Sequence, residues 1–192
     1  MTEFGSYAKY LSVISVMTKR IPDFERYESE ISQITQKTED WCIPANIEAV
    51  TKYFELKSSV TQEYLWNKWE EAWLQSGENV GGISFSNIKN KVLDSDPNYT
   101  WAGSRIKVND IATLAYSVIP SEIDKGPVIL SLPAESPKKS HVYTVVECND
   151  LGGLHLHDTG QGKLLWKNLD EMRTALQERN RTETDMLIIR RK

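Results

Sequence analysis

The apolar residues follow a helical period in the first two thirds of the chain and a strand pattern in the last third. The clearest stripe has apolar residues at spacings of four, three and four: Ile43, Ile47, Val50 and Phe54. This spacing predicts a helix with one continuous apolar face. Pro44 is tolerated only in the first turn of a helix, where its missing N–H has no intrahelical partner. Cys42 is therefore predicted to lie at the helix N-terminus.

Weaker helical patterns lie on both sides of this segment. They predict helices over residues 1–20, 61–75, 86–93, 109–116 and 170–179, with a polar helical or irregular piece over 24–34. In the helix over 61–75, Trp66, Trp69 and Trp73 lie three and four residues apart and so share one face. We interpret that face as core packing in preference to a ligand platform.

From Gly126 onward, short apolar runs between turn residues replace the helical pattern. They predict strands over residues 127–132, 141–147, 154–158, 163–166 and 186–189, with turns at 149–153 and 159–162. Helices followed by a mainly antiparallel sheet define an α+β fold. We predict a single domain over 1–192, with a helical extension over 1–30, a helical half over 36–116 and a sheet half over 126–190.

Composition and charge indicate a soluble globular protein and argue against nucleic-acid and membrane partners. Hydrophobic residues make up 40% of the 192 residues and charged residues 26%, the balance of a soluble globular domain. The formal net charge of −4 gives no electrostatic reason to expect a nucleic-acid partner. No segment resembles a membrane span or a signal peptide, so we expect no membrane partner. Cys42 and Cys148 are the only cysteines, which predicts no disulfide framework and a cytoplasmic location.

The candidate active-site residues are those that a cysteine nucleophile requires. A helix N-terminus and a neighbouring imidazolium both favour the thiolate of a cysteine, and His141 is the candidate for that imidazolium. Asp158 is the candidate to accept a hydrogen bond from His141 and to orient its ring. Attack on a carbonyl creates an oxyanion, for which the Cys42 backbone N–H and the Gln36 side-chain amide are candidate donors.

In order and spacing, these residues resemble the papain-like cysteine peptidases. The matching pieces are Gln36, Asp40-Trp41-Cys42-Ile43-Pro44-Ala45, Gly126-Pro127-Val128-Ile129, Ser140-His141-Val142-Tyr143 and Leu156-His157-Asp158-Thr159-Gly160. They are most similar to the bacteriocin-processing branch, with its double-glycine-leader peptidase-like domains and their stand-alone relatives. The resemblance covers about residues 30–190, and Ile43 stands where that branch usually has glycine.

The resemblance implies a papain-like fold with Cys42 as nucleophile, His141 as base, Asp158 as orienting acid and Gln36 in the oxyanion hole. The implied function is that of a cysteine peptidase or a related thiol-dependent amide hydrolase, acting on a peptide or protein without a cofactor. Trp41, next to the nucleophile, is the candidate substrate-binding residue. Two alternatives remain open: an acyltransferase that uses the same triad, and a catalytically inactive papain-like module that binds a partner. The oligomeric state also remains open.

His155 and His157 raise one further alternative, a metal site. Two histidines at i and i+2 share a face of the predicted strand over 154–158, and a third ligand would complete a zinc site. The chain has three histidines, so His141 or a carboxylate would have to join them. Such a site leaves the cysteine segment unexplained, so we expect no metal. Asp158 lies on the opposite face of this strand, the side that we assign to His141.

Overall fold

An antiparallel sheet forms the centre of the fold. The computed structural model describes residues 16–76, 97–133, 140–178, 180 and 182–192. Within these ranges the sheet has seven strands: β1 (Thr18–Arg20), β2 (Tyr99–Lys107), β3 (Val128–Pro133), β4 (Ser140–Asn149), β5 (Leu154–Asp158), β6 (Lys163–Lys167) and β7 (Glu183–Arg191). Their order is β2-β7-β3-β4-β5-β6, all neighbours are antiparallel, and β1 pairs with the end of β4.

Helices cover this sheet. They are α1 (Phe24–Arg26), which continues as a π-helical turn over Tyr27–Ile31, α2 (Cys42–Phe54), α3 (Gln62–Ser76), α4 (Ile111–Thr113), α5 (Ile119–Glu122) and α6 (Leu169–Glu178). A π-helical turn over Leu114–Val118 joins α4 to α5, so that a nearly continuous helical segment leads into the sheet half. In the part of the chain that the structure describes, no helix combines the length and apolar character that a membrane span requires.

The central strand β3 is buried on both faces. Ile129 belongs to an apolar cluster with α2 and α3, whereas Val128 and Leu130 belong to a second cluster with α5 and α6. Successive residues of a strand point to opposite faces, so a strand between two clusters is apolar at consecutive positions. This burial explains the consecutive apolar residues of β3, Val128, Ile129 and Leu130. The same packing holds the first turn of α2 against the sheet.

The predicted α+β class is confirmed. The predicted helices beginning near Cys42 and Thr61 and the strands from residue 127 onward all form, with ends within a few residues of their predicted positions. The helix predicted over 109–116 also forms, but the helical segment continues through α5, since Ile119 and Ile123 pack into the core. The predictions for residues 1–15 and 86–93 lie outside the described residues.

Two strands correct the sequence-based predictions. Residues 18–20, predicted as helix, form β1: β3 pairs with β4 only as far as Val145, so β1 occupies the open edge beyond it. The predicted helical half over 36–116 also contains a strand, β2. Among the described strands, β2 lies at the sheet edge and pairs only with β7, and it exposes most of its side chains. An exposed edge strand needs few apolar residues, so it lacks the alternation by which strands are predicted.

Candidate active site

Cys42 is the first residue of α2. The first hydrogen bond of the helix runs from the Ala45 N–H to the Trp41 carbonyl at 2.9 Å. The N–H groups of Cys42 and Ile43 therefore have no acceptor within the helix, and they form the positive end of its dipole. The Cys42 side chain is half-buried. This position provides a partly exposed thiol next to backbone donors that have no acceptor within the helix.

His141 and Asp158 lie close together because their strands pair. β4 and β5 are antiparallel neighbours with Thr144 opposite His157, which brings His141 near the turn that follows Asp158. The His141 Nε2 and the Asp158 Oδ1 are 2.7 Å apart, and their side chains are only 15% and 5% exposed. A short hydrogen bond to a buried carboxylate fixes the orientation of the imidazole ring.

Cys42 is the other neighbour of His141 that influences its pKa. Because Nε2 faces Asp158, Nδ1 is the ring nitrogen left for Cys42. Burial by itself lowers the His141 pKa, but the hydrogen bond to Asp158, the interaction with the Cys42 side chain and the charges of both partners outweigh it and raise the pKa to about 9. The ring is therefore an imidazolium at neutral pH, directly beside the thiol.

Asp158 lies at the end of β5 and remains ionised. Burial raises the pKa of its carboxyl, but hydrogen bonds from His141 and from the backbone at Gly160 and Gln161 more than offset this and lower the pKa below its usual range. The Gly160 N–H donates to Oδ1 at 2.8 Å. A Cβ at Gly160 would lie 3.1 Å from both Asp158 Oδ1 and His141 Cε1. Glycine thus allows the backbone of the turn to approach the histidine–aspartate pair.

Gln36 lies on a segment held against the turn that follows Asp158. Its backbone N–H donates to the Thr159 carbonyl at 2.8 Å. Its side-chain nitrogen donates to the Glu39 carbonyl at 3.2 Å, which leaves one N–H of the amide for another acceptor. Its side-chain oxygen is buried without a hydrogen-bond partner among the described residues. The structure thus brings the Gln36 segment next to the residue that follows Asp158.

A buried glutamine on α3, Gln62, fixes the backbone on both sides of Gln36. Its Nε2 donates to the Thr35 carbonyl at 3.0 Å and to the Glu48 carboxylate at 2.9 Å. Its Oε1 accepts from the Lys37 N–H at 3.0 Å. Gln62 is 1% exposed, and these contacts use both of its N–H groups and its oxygen. The backbone around Gln36, which lies in a loop before α2, is therefore held by a side chain of α3.

Trp41, beside the nucleophile, stacks on Trp66 of α3. Their ring centroids are 5.2 Å apart and their planes differ by 26°. Trp69 is 7% exposed and belongs to the core, as the periodicity predicts, whereas Trp41 and Trp66 are half-buried. On α3, Trp69 therefore belongs to the core, whereas Trp66 stacks on Trp41 in a partly exposed indole pair next to Cys42. The side chain of Trp73 lies outside the described part of the chain.

The other two histidines have separate partners. His157 is fully buried, and its Nδ1 lies 2.9 Å from the Tyr27 hydroxyl. The His155 Nδ1 lies 3.1 Å from Glu147 Oε2, and the His155 ring stacks on Trp166. Within the described ranges, no group of three His, Cys, Asp or Glu side chains is arranged to hold a metal ion. The zinc alternative thus has no support in the geometry of these residues.

Two cavities lie elsewhere. One of about 590 Å³ is bordered by Tyr116, Leu151 and α6. Another of about 250 Å³ is also bordered by Tyr116, together with Met17 and Cys148. Neither is lined by a residue of the cysteine site, so they offer no substrate path to it.

Three residues at the site were not predicted: Asn46, Gln62 and Gly160. Asn46 is fully buried in the structure. It lies four residues after Cys42, so the signal available in the sequence was a polar residue on the same face of the predicted helix as Cys42. Gly160 had a weaker signal, its place in a turn two residues after Asp158. Gln62 had none, because its partners lie 14 to 27 residues away along the chain.

Helices against an antiparallel sheet, with a cysteine opening one helix and a histidine–aspartate pair on neighbouring strands, define the papain-like class of fold. The sequence matches no family model, and no curated protein matches it. Among solved structures it is similar to the peptidase domain of Streptococcus ComA, a bifunctional ABC transporter involved in a quorum-sensing pathway. That likeness has a TM-score of 0.55 and 14% sequence identity, and covers 83% of this chain and 97% of that one.

A second similar structure is a C39-like peptidase from Bacillus anthracis, with a TM-score of 0.48 and 12% identity, covering 91% of this chain and 100% of that one. The likeness to the ComA peptidase domain confirms the predicted papain-like fold. At this level of identity the comparison concerns the fold. The chemistry has to be argued from the residues of this chain.

Proposed function

We propose that the protein is a cysteine peptidase or a related thiol-dependent amide hydrolase that acts on a peptide or protein. The observation that carries this proposal is the 2.7 Å contact between His141 and Asp158, with Cys42 at the start of α2 close enough to His141 to help raise its pKa. In this proposal Cys42 is the nucleophile, His141 the proton carrier, Asp158 the orienting acid and Gln36 an oxyanion donor. The peptidase-like fold supports the same assignment.

The first half of the proposed reaction acylates the enzyme. The Cys42 Sγ forms a bond to the carbonyl carbon of the substrate, and the carbonyl oxygen becomes an oxyanion. The Cys42 backbone N–H and the free N–H of the Gln36 amide would donate to it; removing one such donor typically costs about 10²–10³-fold in turnover. The C–N bond then breaks, and the leaving amine takes its proton from the His141 imidazolium.

The second half releases the acyl group. Water attacks the thioester carbonyl and gives a proton to the now neutral His141. The C–S bond breaks, Cys42 leaves as thiolate, and the product carboxylic acid departs. Asp158 does not change protonation state; it holds the ring and stabilises the imidazolium each time that it forms. The raised His141 pKa supports this role, because the imidazolium is present at neutral pH.

Trp41, together with Trp66, is the proposed wall of the substrate cleft. Stacked indoles that remain partly exposed next to a nucleophile present apolar surface to a substrate side chain. We expect peptides with a large apolar residue near the scissile bond to be preferred. Trp66→Ala should raise KM for such peptides about fivefold while changing KM for alanine-containing peptides little. Equal changes for both series would remove the indole pair from the substrate site.

The central experiment uses activated acyl donors, such as a panel of peptide thioesters, with intact-mass detection of the acylated protein. The wild type should gain the mass of the acyl group, and Cys42→Ala should not. Cys148→Ala is the matched control, because Cys148 is a buried cysteine outside the site. Adding a primary amine separates hydrolysis from acyl transfer, since an acyltransferase would yield the amide in preference to the acid.

Two results would contradict the proposal. One is turnover that survives in Cys42→Ala; the other is a folded wild-type protein that accepts no acyl group from any donor. The second result would favour the inactive binding module, for which Cys42→Ala would leave partner binding intact. The cytoplasmic location stays a prediction of the sequence.

A further inference from the structure

Asn46 contacts the three segments that carry Cys42, His141 and Asp158. It lies one turn after Cys42 on α2 and is fully buried. Its Nδ2 is 2.8 Å from the Cys42 carbonyl, 2.9 Å from the Val142 carbonyl and 3.0 Å from the Thr159 Oγ1. Val142 follows His141 and Thr159 follows Asp158. One amide group therefore touches the nucleophile itself and the residue next to each of its two partners.

The other side of the same amide is also occupied. The Thr144 hydroxyl donates to the Asn46 Oδ1 at 2.7 Å. The amide orientation is thereby fixed, since turning it over would direct an oxygen at two carbonyl oxygens and direct the NH₂ group at a hydroxyl. Its two N–H groups serve three acceptors, so its donating capacity is fully used. A buried amide with all its partners in place is held rigidly.

These hydrogen bonds supply what the apolar contacts between α2 and the sheet lack. Apolar contacts hold helix and sheet together but are not directional, whereas catalytic groups need to be held within about 0.5 Å of their working geometry. A hydrogen bond has a narrow range of distance and angle. The bonds of Asn46 join α2 to Val142 on β4 and to Thr159 directly after β5, each next to a residue of the histidine–aspartate pair.

We propose that Asn46 is a positioning residue, which sets the distance and orientation of the thiol relative to the histidine–aspartate pair. This inference rests on the proposed function for its meaning, but its geometry can be tested separately. Asn46 does not touch the reacting atoms; it acts through the backbone of Cys42 and through the residues next to His141 and Asp158. Loss of its amide should leave the fold in place and loosen the contact between Cys42 and His141.

The test compares Asn46→Leu, which has nearly the same shape and no polar atoms, with Thr159→Val, which removes one acceptor only. Thr51→Val is the matched control, because Thr51 is also fully buried on α2 and its hydroxyl donates to the Glu48 carbonyl at 3.1 Å, away from the site. The readouts are the iodoacetamide alkylation rate of Cys42 at pH 6 and the NMR titration of His141. Thermal unfolding of each variant provides the stability comparison.

We expect Asn46→Leu to slow alkylation at least tenfold and to shift the His141 pKa from about 9 toward its ordinary value of 6.5. Thr159→Val should show a smaller change of the same kind, and Thr51→Val none. In the wild type, the Asn46 side-chain protons should exchange slowly with solvent. Folded Asn46 and Thr159 variants with wild-type alkylation and titration would overturn the inference. So would an Asn46 amide that exchanges as fast as an exposed one, whether or not the variants fold.

Results that contradict the proposed function can be distinguished from results that contradict the positioning role. A wild-type Cys42 that is unreactive at pH 6 would remove the peptidase proposal, yet the His141 titration and the Asn46 amide exchange would still decide the positioning role. A His141 pKa that falls in Asn46→Leu and not in Thr51→Val would support positioning even then.

Discussion

Replacing His157 should change how the stability of the protein depends on acid. His157 is fully buried on β5, with its Nδ1 2.9 Å from the Tyr27 hydroxyl. Burial lowers its pKa from 6.5 to about 4, and the nearby backbone at Ile34 and Ser32 together with the charge of Asp158 offset this effect only in part. The imidazole is therefore neutral in the folded protein at every pH above about 4.

The direction of the effect follows from proton binding. Between pH 6.5 and pH 4 the unfolded chain binds a proton at His157 that the folded chain does not bind, so unfolding is favoured as the pH falls. The contribution of His157 is fully present above pH 6.5 and is lost as the pH falls to about 4. A pKa difference of about 2.5 units at 1.36 kcal/mol per unit corresponds to a loss of about 3 kcal/mol in the free energy of unfolding.

Urea denaturation from pH 7 to pH 4 measures this loss. In His157→Gln the extra decline of about 3 kcal/mol should disappear, even though the variant is less stable at pH 7 because the Tyr27 contact changes. His155→Gln is the control, since it removes a histidine from the same strand and leaves His157 in place. If wild type and His157→Gln lose stability in parallel over this range, the buried neutral histidine is refuted.

Three further substitutions test the site. Asp158→Asn should lower the His141 pKa below its value of about 9 and slow turnover by about 10²-fold or more. An unchanged His141 titration together with an unchanged turnover rate would show that Asp158 does not belong to the site. Gly160→Ala introduces a Cβ 3.1 Å from the His141 ring, so it should lower the free energy of unfolding by about 1–3 kcal/mol, measured by thermal or urea unfolding, and reduce the activity. A variant with wild-type stability and activity would contradict the close approach of the turn to His141. Gln62→Met should slow turnover about tenfold by freeing the Gln36 segment, while the thiol alkylation rate stays at the wild-type level; a loss of alkylation would show a wider disturbance.

The fold was predictable where burial imposes a period. The stripe from Ile43 to Phe54 faces the sheet, and the apolar run of β3 is buried on both faces, so in both places the interior dictates the residue type. β1 and β2 were not predictable in this way. Their residues are mostly exposed, and their strand conformation comes from backbone pairing with β4 and β7, which leaves no mark on the pattern of side chains.

The site likewise contains residues that the sequence predicts and residues that it does not. The Cys42 segment and the pairing of the strands that carry His141 and Asp158 follow from local pattern and chain order. The polar residues around them do not, because each is defined by partners distant in sequence: Asn46 bonds to residues 96 and 113 positions away, and Gln62 joins α3 to the Gln36 segment. Such residues become visible only when helices and strands are brought together.

The most direct test of the account is the pH dependence of iodoacetamide alkylation at Cys42, in the wild type and in His141→Ala. Cys148 is an internal reference in the same molecule, because burial raises its pKa to about 11. We predict that the wild type is alkylated rapidly at Cys42 well below about pH 8.5, the usual thiol pKa, and that His141→Ala loses this reactivity while remaining folded. Slow alkylation that rises only near that pH in both proteins would contradict a cysteine activated by His141.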